Sequence, residues 1–224
     1  MMATSGEGAG PRGESKESLA DYAYRVLRDR LVLLDISPGA PLGESVLALE
    51  LGVGRTPLRE ALKRLESDHL VVTFSRRGTF ATTVDVTELS EITEMRSVLV
   101  PLAARRAAQH HGGAMRRDLD EALRAMEKFD EEVDARALLE HDLAVHRLIS
   151  AAACSRHLQE TLVRLDHLVA RMWCAMIDRI PPMGDHVREH VALVGAVLDG
   201  DADRAEGLAA AHVSDFDRAV RAVV

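Results

Sequence analysis

Hydrophobic positions in the N-terminal part of the chain recur at helical spacing in three separate segments. This periodicity predicts helices over residues 19–34, 44–51 and 55–68. The segment ISPGAPLGES follows the first of these, and its prolines and glycines predict a turn. Gly52 follows the second predicted helix, in the position where a left-handed residue commonly ends a helix. A short glycine turn is therefore expected between the second and third helices.

Two short β-prone runs, VVTF and TFATTV, follow the third predicted helix. Residues 75–78 lie between them, so the two runs are expected to form a hairpin. The order of helix, helix, glycine turn, helix and hairpin is that of a winged helix-turn-helix. We therefore predict a winged helix-turn-helix domain of three helices plus a β-hairpin over residues 16–84, after a disordered tail over residues 1–15.

No strand pattern is found after residue 84, where amphipathic segments predict an all-α antiparallel bundle of six or seven helices over residues 85–224. Asp85 or Thr87 can cap its first helix, which is expected to reach Gln109 with a kink at Pro101. Further helices are predicted near residues 114–133, 135–153, 156–179, 184–199 and 201–222. The predicted fold class is mainly α.

Charge is distributed unevenly between the two predicted domains. The net charge of the chain is −8, but residues 16–83 carry ten Lys/Arg and nine Asp/Glu. Residues 55–77 alone carry six basic and three acidic side chains. DNA affinity depends on the local charge that meets the phosphates, so the acidic total does not exclude a nucleic-acid partner.

The two cysteines lack a CxxC spacing, which argues against a disulfide framework. The chain shows neither a signal-peptide pattern nor an apolar run of about 18 residues. We therefore expect a cytoplasmic, nucleoid-associated protein with no membrane partner.

The start of the third predicted helix carries side chains suited to reading DNA. In a helix-turn-helix, the first residues of the second helix of the motif lie near base edges in the major groove. Arginine pairs bidentately with guanine, and Arg55 and Arg59 share one helix face. Lys63 and Arg64 lie further along, where phosphate is the expected partner. An ordinary solvated helix face is the alternative interpretation. The candidate DNA-binding residues are Gly54, Arg55, Thr56, Arg59, Lys63, Arg76, Arg77 and Gly78.

Histidines in the second half suggest a metal site. Asp142 and His146 are spaced to share one helix face, and His190 and His212 come from two later helices that can pack antiparallel. One carboxylate and three imidazoles would bind a borderline divalent metal. Spacing alone does not single out these ligands, because His186 and His190 form an equally good pair one helical turn apart.

The N-terminal motifs resemble a known family. LGVGRTPLREALKRLESDHLVVTFSRRGTF and SPGAPLGESVLALELG are similar to the DNA-binding region of the GntR family of bacterial regulators. The resemblance implies a winged helix-turn-helix that binds a palindromic operator as a homodimer. Gly54 departs from the family pattern, which usually has Ser or Thr there.

The second half is similar to the FadR-type C-terminal domain through EMRSVLVPLAARRAA, HDLAVHRLISAAA and REHVALVGAVLDGDADRAEGLAAAHV. The resemblance implies a divalent metal, zinc first and nickel or manganese next, held by Asp142, His146, His190 and His212. It also implies that Arg96 binds an effector carboxylate, although a salt bridge with a neighbouring acid is equally open. His186 has no match in the family pattern.

These observations lead to one functional hypothesis with two alternatives. The chain is expected to be a metabolite-responsive transcription regulator, a repressor rather than an enzyme, released from DNA by a small organic acid. The first alternative is a metal-dependent hydrolase with a fused DNA-binding head. The second is a constitutive DNA-binding protein with a purely structural metal site.

Overall fold

The computed structural model describes residues 17–127, 134–177, 179 and 184–222, so the predicted tail over residues 1–15 lies outside the described residues. The N-terminal elements are α1 (Leu19–Val32), β1 (Pro41–Leu42), α2 (Glu44–Leu51), α3 (Arg55–Ser67), β2 (Val71–Phe74) and β3 (Gly78–Ala81). The C-terminal helices are α4 (Leu89–Gln109), α5 (Arg116–Met126), α6 (Ala135–Ala152), α7 (Arg156–Met176), α8 (Gly184–Asp199) and α9 (Ala202–Arg221). The prediction of a mainly α fold, with a winged helix-turn-helix followed by a helical bundle, is confirmed.

The helix-turn-helix consists of α2 and α3, with α1 packed behind α3. Gly52 ends α2 in the left-handed conformation, with φ of 65°, as its position predicted. Leu58, Leu62 and Leu65 of α3 are buried at helical spacing and fix this helix against the head's core. The opposite face of α3 is left exposed.

The predicted hairpin is present, but it belongs to a three-stranded sheet in the order β1-β3-β2. The strand β1 lies inside the segment predicted as a turn, because two residues are too few to show an alternating pattern. The second predicted run was expected to reach residue 84, but β3 ends at Ala81. Ala81 pairs with Val71, the first residue of β2. Beyond this pair, Thr82 N–H still donates to the carbonyl of Leu70 at 3.1 Å, but the strand pairing does not continue.

The helix α4 is the central helix of the bundle and packs against α6, α7, α8 and α9. Its start follows a short turn capped by Asp85, whose side chain accepts a hydrogen bond from the backbone N–H of Thr87. The helix continues unbroken through Pro101. It ends where predicted, because His111 and Gly112 both take positive φ angles.

The head and the bundle share one hydrophobic core, which includes Leu27 of α1 together with Leu143, Val169 and Met172 of the bundle. Polar contacts across the junction include a bidentate pair between Arg136 and Asp35, with N–O distances of 2.7 and 2.8 Å. Within the described part of the chain, no helix is long and apolar enough to cross a bilayer. The domain boundary after residue 84 stays a prediction.

Candidate metal centre and DNA-binding surface

Three bundle helices bring the four predicted ligands together. Asp142 and His146 lie one turn apart on α6, His190 lies on α8, and His212 lies on α9. All four side chains are buried, and His190 is completely so. Their potential ligand atoms lie within 4.8 Å of one another. The packing of α8 against α9 therefore brings His190 and His212 into one cluster, as their positions predicted.

The candidate ligand atoms have the spacing of a single coordination sphere. Nε2 of His146 lies 3.2 Å from Nε2 of His212 and 3.4 Å from Nε2 of His190. The Asp142 carboxylate lies 3.8 Å from His146 Nε2 and 3.7 Å from His190 Nε2. Four ligands bound tetrahedrally to zinc at about 2.0–2.1 Å lie about 3.3 Å apart. The four side chains thus surround a point that a zinc-sized ion fits.

The protonation states of the cluster suit a metal. Burial lowers the pKa of His146, His190 and His212 well below the ordinary histidine value, so all three imidazoles are neutral at neutral pH. Neutral imidazole is the form that binds metals. Burial raises the pKa of Asp142 to about 6, although the charges of His186 and Arg96 oppose the rise. A bound cation would favour the ionised carboxylate.

A carboxylate oxygen without a hydrogen-bond partner also indicates that a metal ion fits this site. Oδ1 of Asp142 is buried and has no hydrogen-bond partner among the described residues. A buried carboxylate oxygen without a partner is costly, and a metal ion would remove that cost. Three imidazoles and one carboxylate are a donor set that suits zinc, and also nickel or manganese with further ligands. The residues present therefore fit a divalent metal.

Glu189 is a functional candidate that was not predicted from the sequence. It precedes His190 on α8, and its Oε2 lies 2.9 Å from Nδ1 of His212. Since a carboxylate only accepts, Nδ1 of His212 carries the proton and donates, which leaves the Nε2 lone pair for the cluster. Its position beside a candidate ligand was the available signal, but spacing alone could not show that it faces α9.

His186, which has no match in the family pattern, also lies at the cluster. Its ring stacks on that of His212, with centroids 3.9 Å apart and planes inclined by 15°. Its Nε2 lies 3.9 Å from Oδ1 of Asp142, and its Nδ1 lies 3.5 Å from Oε2 of Glu189. The cluster therefore contains a fourth histidine beside the predicted four ligands.

Arg96 is buried on α4, and its Nε donates a hydrogen bond of 3.1 Å to Oδ1 of Asp166 on α7. The salt bridge with a neighbouring acid that the sequence left open is therefore present. Burial is the largest cause of the low pKa of His146 and His212, and the charge of Arg96 is a further cause beside those of neighbouring histidines. Its guanidinium thus lies within electrostatic reach of the cluster. An effector role for Arg96 stays a prediction.

The predicted DNA-reading face of α3 is exposed to solvent. Its exposed members are Arg55, Thr56, Arg59 and Lys63. Gly54 is the N-cap residue, with φ of −71° and ψ of 167°, and no side chain caps the helix. The first backbone N–H groups of α3 are therefore available to a phosphate.

Two arginines of α3 are held by acids of the head. Nε of Arg59 donates to Oε2 of Glu44 at 2.8 Å, and both side chains remain exposed. Nη1 of Arg64 donates to Oδ1 of Asp21 on α1 at 2.6 Å, and its guanidinium lies 4.0 Å from the centre of the Tyr24 ring. Arg64 therefore packs back against α1 instead of extending toward a phosphate with Lys63.

The wing tip is the turn between β2 and β3. Arg76 takes a left-handed conformation with φ of 62°, and Gly78 has φ of 98°. Arg77 lies with its guanidinium 5.9 Å from the centre of the Phe74 ring. Arg76, Arg77 and Gly78 are all exposed. The tip is therefore basic and free of covering structure in the described chain, as a DNA-contacting wing requires.

Two family profiles match the chain. Residues 19–81 match the bacterial regulatory proteins of the gntR family, and residues 91–215 match the FCD domain. Among curated relatives, the HTH-type transcriptional repressor RspR of Escherichia coli K12 is 25% identical over 200 residues, covering 89% of this chain and 88% of the relative. The HTH-type transcriptional repressor GlaR of the same strain is 27% identical over 198 residues, covering 85% and 90%.

Solved structures share the fold. The E. coli protein McbR/YncC superposes with a TM-score of 0.75 at 22% identity, covering 88% of this chain and 94% of that chain. A GntR protein from Rhodococcus sp. RHA1 superposes with a TM-score of 0.70 at 23% identity, covering 92% and 98%. Both matches span the head and the bundle together.

Proposed function

Because this chain belongs to the GntR family of bacterial regulatory proteins and carries an FCD domain, we propose that this transcription regulator acts as a homodimeric repressor controlled by a small carboxylate. The dimer binds a palindromic operator through α3 and the wing. A carboxylate bound at the metal centre of the bundle releases the dimer from DNA. The buried cluster of Asp142, His146, His190 and His212 is the observation that carries this proposal.

The DNA-binding part of the proposal is supported by the exposed face of α3 and the basic wing. Arg55 and Thr56 open the helix, and no side chain in the described part of the chain accepts a hydrogen bond from the Arg55 guanidinium. A symmetric dimer presents two such helices, and half-sites one helical turn apart match that arrangement. The names of RspR and GlaR, both repressors, support repression as the direction of control.

The sensing part is supported by the chemistry of the cluster. A bound divalent metal would supply a Lewis acid that attracts an anionic ligand. Arg96, which is paired with Asp166, adds a buried guanidinium on the α4 side of the cluster. A ligand changes the affinity for DNA only if it binds the DNA-binding conformation and the released conformation of the protein with different affinities. A bundle that shares its core with the head can transmit such a difference.

DNA recognition is tested by selecting duplexes from a random library with the wild-type protein. We expect a palindromic consensus, and Arg55→Ala should weaken binding to it by at least about tenfold through loss of a base contact. Arg117→Ala, an exposed arginine on α5, is the control and should bind as the wild type does. Equal binding by Arg55→Ala and Arg117→Ala would contradict the assignment of α3.

Ligand binding is tested by metal analysis of the purified protein, followed by calorimetric titration of small carboxylic acids. We expect one divalent metal per chain and binding of an acid that Asp142→Ala abolishes. Arg96→Ala combined with Asp166→Asn should weaken binding of the acid without removing the metal, since the double substitution leaves no uncompensated buried charge. Turnover of the acid would support the hydrolase instead, and unfolding on chelation without any acid binding would support a structural metal.

A further inference from the structure

A cavity of about 270 Å³ lies at the junction between the head and the bundle. The head contributes Asp29 of α1 and Leu33, which directly follows that helix, and the bundle contributes Glu140, Leu143 and Arg147 of α6. Pockets for drug-sized ligands measure about 300–1,000 Å³. The junction cavity therefore has the size for a smaller ligand.

The junction cavity and the candidate metal cluster lie on different faces of α6. Glu140, Leu143 and Arg147 follow one another at spacings of three and four residues, which places them on one side of the helix. Asp142 and His146 also lie one turn apart, but their side is about 110° further round the helix axis. A ligand in the junction cavity therefore does not use the side chains of the candidate metal cluster.

Arg147 is the cationic group of the junction cavity, and it is incompletely paired. Its Nε is buried and has no hydrogen-bond partner among the described residues. Its Nη2 lies 4.0 Å from Oδ1 of Asp29, which is too far for a hydrogen bond. Burial, followed by the charge of Arg28, lowers the pKa of Arg147, although the charges of Asp29 and Asp166 oppose the change. A ligand carboxylate would supply the planar acceptor that a guanidinium binds best.

The two carboxylates of the junction cavity are only partly used by the fold. Arg28 donates twice to Oδ1 of Asp29, at 2.9 and 2.7 Å. Arg136 donates to Oε1 of Glu140 at 3.2 Å. Within the described ranges of the chain, no hydrogen bond reaches the second oxygen of either carboxylate. These two oxygens can therefore accept from an ammonium group, which carries three N–H donors.

We propose that the junction cavity binds a small aliphatic α-amino acid as a zwitterion. The ligand carboxylate pairs with Arg147, and the ammonium group donates to Asp29 and Glu140. The aliphatic side chain packs against Leu33 and Leu143. A simple anion would meet the two carboxylates and a simple cation would meet the guanidinium, so the cavity favours a ligand that carries both charges. The site requires neither the metal nor the homodimer of the proposed function.

Calorimetric titration of the full chain with L-leucine, L-isoleucine and L-valine tests the ligand class. We expect at least one of the three to bind, with one site per chain. Its analogues without the ammonium group or without the carboxylate should each bind at least about tenfold more weakly, because each loses a charge-assisted contact. For leucine these analogues are 4-methylpentanoic acid and 3-methylbutylamine, and they are titrated into Asp142→Ala to exclude acid binding at the metal centre. No binding of any of the three amino acids, or equal binding of either analogue, would overturn the proposal.

Substitutions locate the amino acid within the molecule. Arg147→Met and Glu140→Gln should each weaken its binding by at least about tenfold, while the matched controls on α5, Arg124→Met and Glu121→Gln, should bind it as the wild type does. Asp142→Ala should also retain the binding, since it alters only the other face of α6. Loss of binding in Asp142→Ala with full binding in Arg147→Met would place the amino acid at the metal centre. That result would overturn the junction site and leave the proposed function intact.

Discussion

At the scale of single residues, Glu189 determines which nitrogen of His212 faces the candidate metal cluster. Its carboxylate accepts the Nδ1 proton at 2.9 Å, so Nε2 presents its lone pair to the site. Partners of this kind orient a ligand and increase its basicity. The candidate metal centre therefore depends on a side chain outside its four predicted ligands.

We predict that Glu189→Gln lowers metal affinity by about tenfold, because an amide is a weaker acceptor and can also donate to Nδ1. The affinity is measured by competition with a chromophoric chelator. Glu160→Gln, an exposed acid on α7, serves as the control and should leave the affinity unchanged. An unaltered affinity in Glu189→Gln would mean that His212 is oriented by other contacts.

Glu44 is the acidic residue that holds Arg59 in position. The Glu44 carboxylate accepts from Arg59 Nε in the exposed DNA-reading face. Glu44→Gln should bind the selected operator about three- to tenfold more tightly, because a negative charge near phosphates is removed and Arg59 is released. Fluorescence anisotropy at two salt concentrations measures this. Weaker binding would show that the ion pair positions Arg59 for its base contact.

At the scale of elements, α7 contacts both the candidate metal cluster and the head. Trp173 lies edge-on to His186, with ring centroids 5.9 Å apart. Two residues earlier, Arg171 donates through Nη1 to Oγ1 of Thr82 at 2.5 Å and through Nη2 to its backbone carbonyl at 2.6 Å. Thr82 directly follows β3 of the wing. One helix therefore connects the site to the segment that leads out of the DNA-binding sheet.

We predict that Thr82→Val lowers the free energy of unfolding by about 1–3 kcal/mol, since a half-satisfied, largely buried guanidinium loses its side-chain acceptor. Thr83→Val, at the exposed neighbouring position, should change it little. Urea unfolding of the metal-loaded protein measures both variants. Equal stability of the two would indicate that the backbone carbonyl alone holds Arg171.

The elements also show what the sequence could predict. The helices with a periodic apolar face, such as α3 and α6, follow directly from spacing, and so does the pairing of Asp142 with His146 on one face. The strand β1 could not be predicted, because it is formed by pairing with β3 rather than by its own pattern. The contact of Arg96 with Asp166 joins residues 70 positions apart, so spacing could not identify that partner.

At the scale of the whole molecule, the junction between head and bundle contains a buried histidine. His167 on α7 is almost completely buried, and neither ring nitrogen has a hydrogen-bond partner among the described residues. Burial, followed by the charges of Arg147 and Arg28, lowers the pKa of His167 to about 3. The unfolded chain therefore takes up this proton first as the pH falls.

It follows that His167 reduces stability progressively as the pH drops from about 6.5 toward 3. We predict that lowering the pH from 7 to 5 raises the free energy of unfolding of His167→Met, relative to that of the wild type, by about 1–2 kcal/mol. The reason is that the variant has no group at this position that binds a proton on unfolding. The cluster histidines contribute equally to the pH dependence of unfolding in both proteins, so their contribution cancels in the difference. Unfolding curves at the two pH values, with His157→Met as an exposed control, measure the difference. A constant difference between wild type and His167→Met would contradict the prediction.

The most direct test of the whole account is the operator affinity of the metal-loaded dimer with and without the carboxylic acid found by calorimetry. Coupling between two sites in a regulator is commonly worth about 1–3 kcal/mol. We therefore expect the acid to raise the operator Kd by about tenfold or more in the wild type and to leave it unchanged in Asp142→Ala. An operator Kd that the acid does not alter, or alters equally in both proteins, would contradict control of DNA binding through the metal centre.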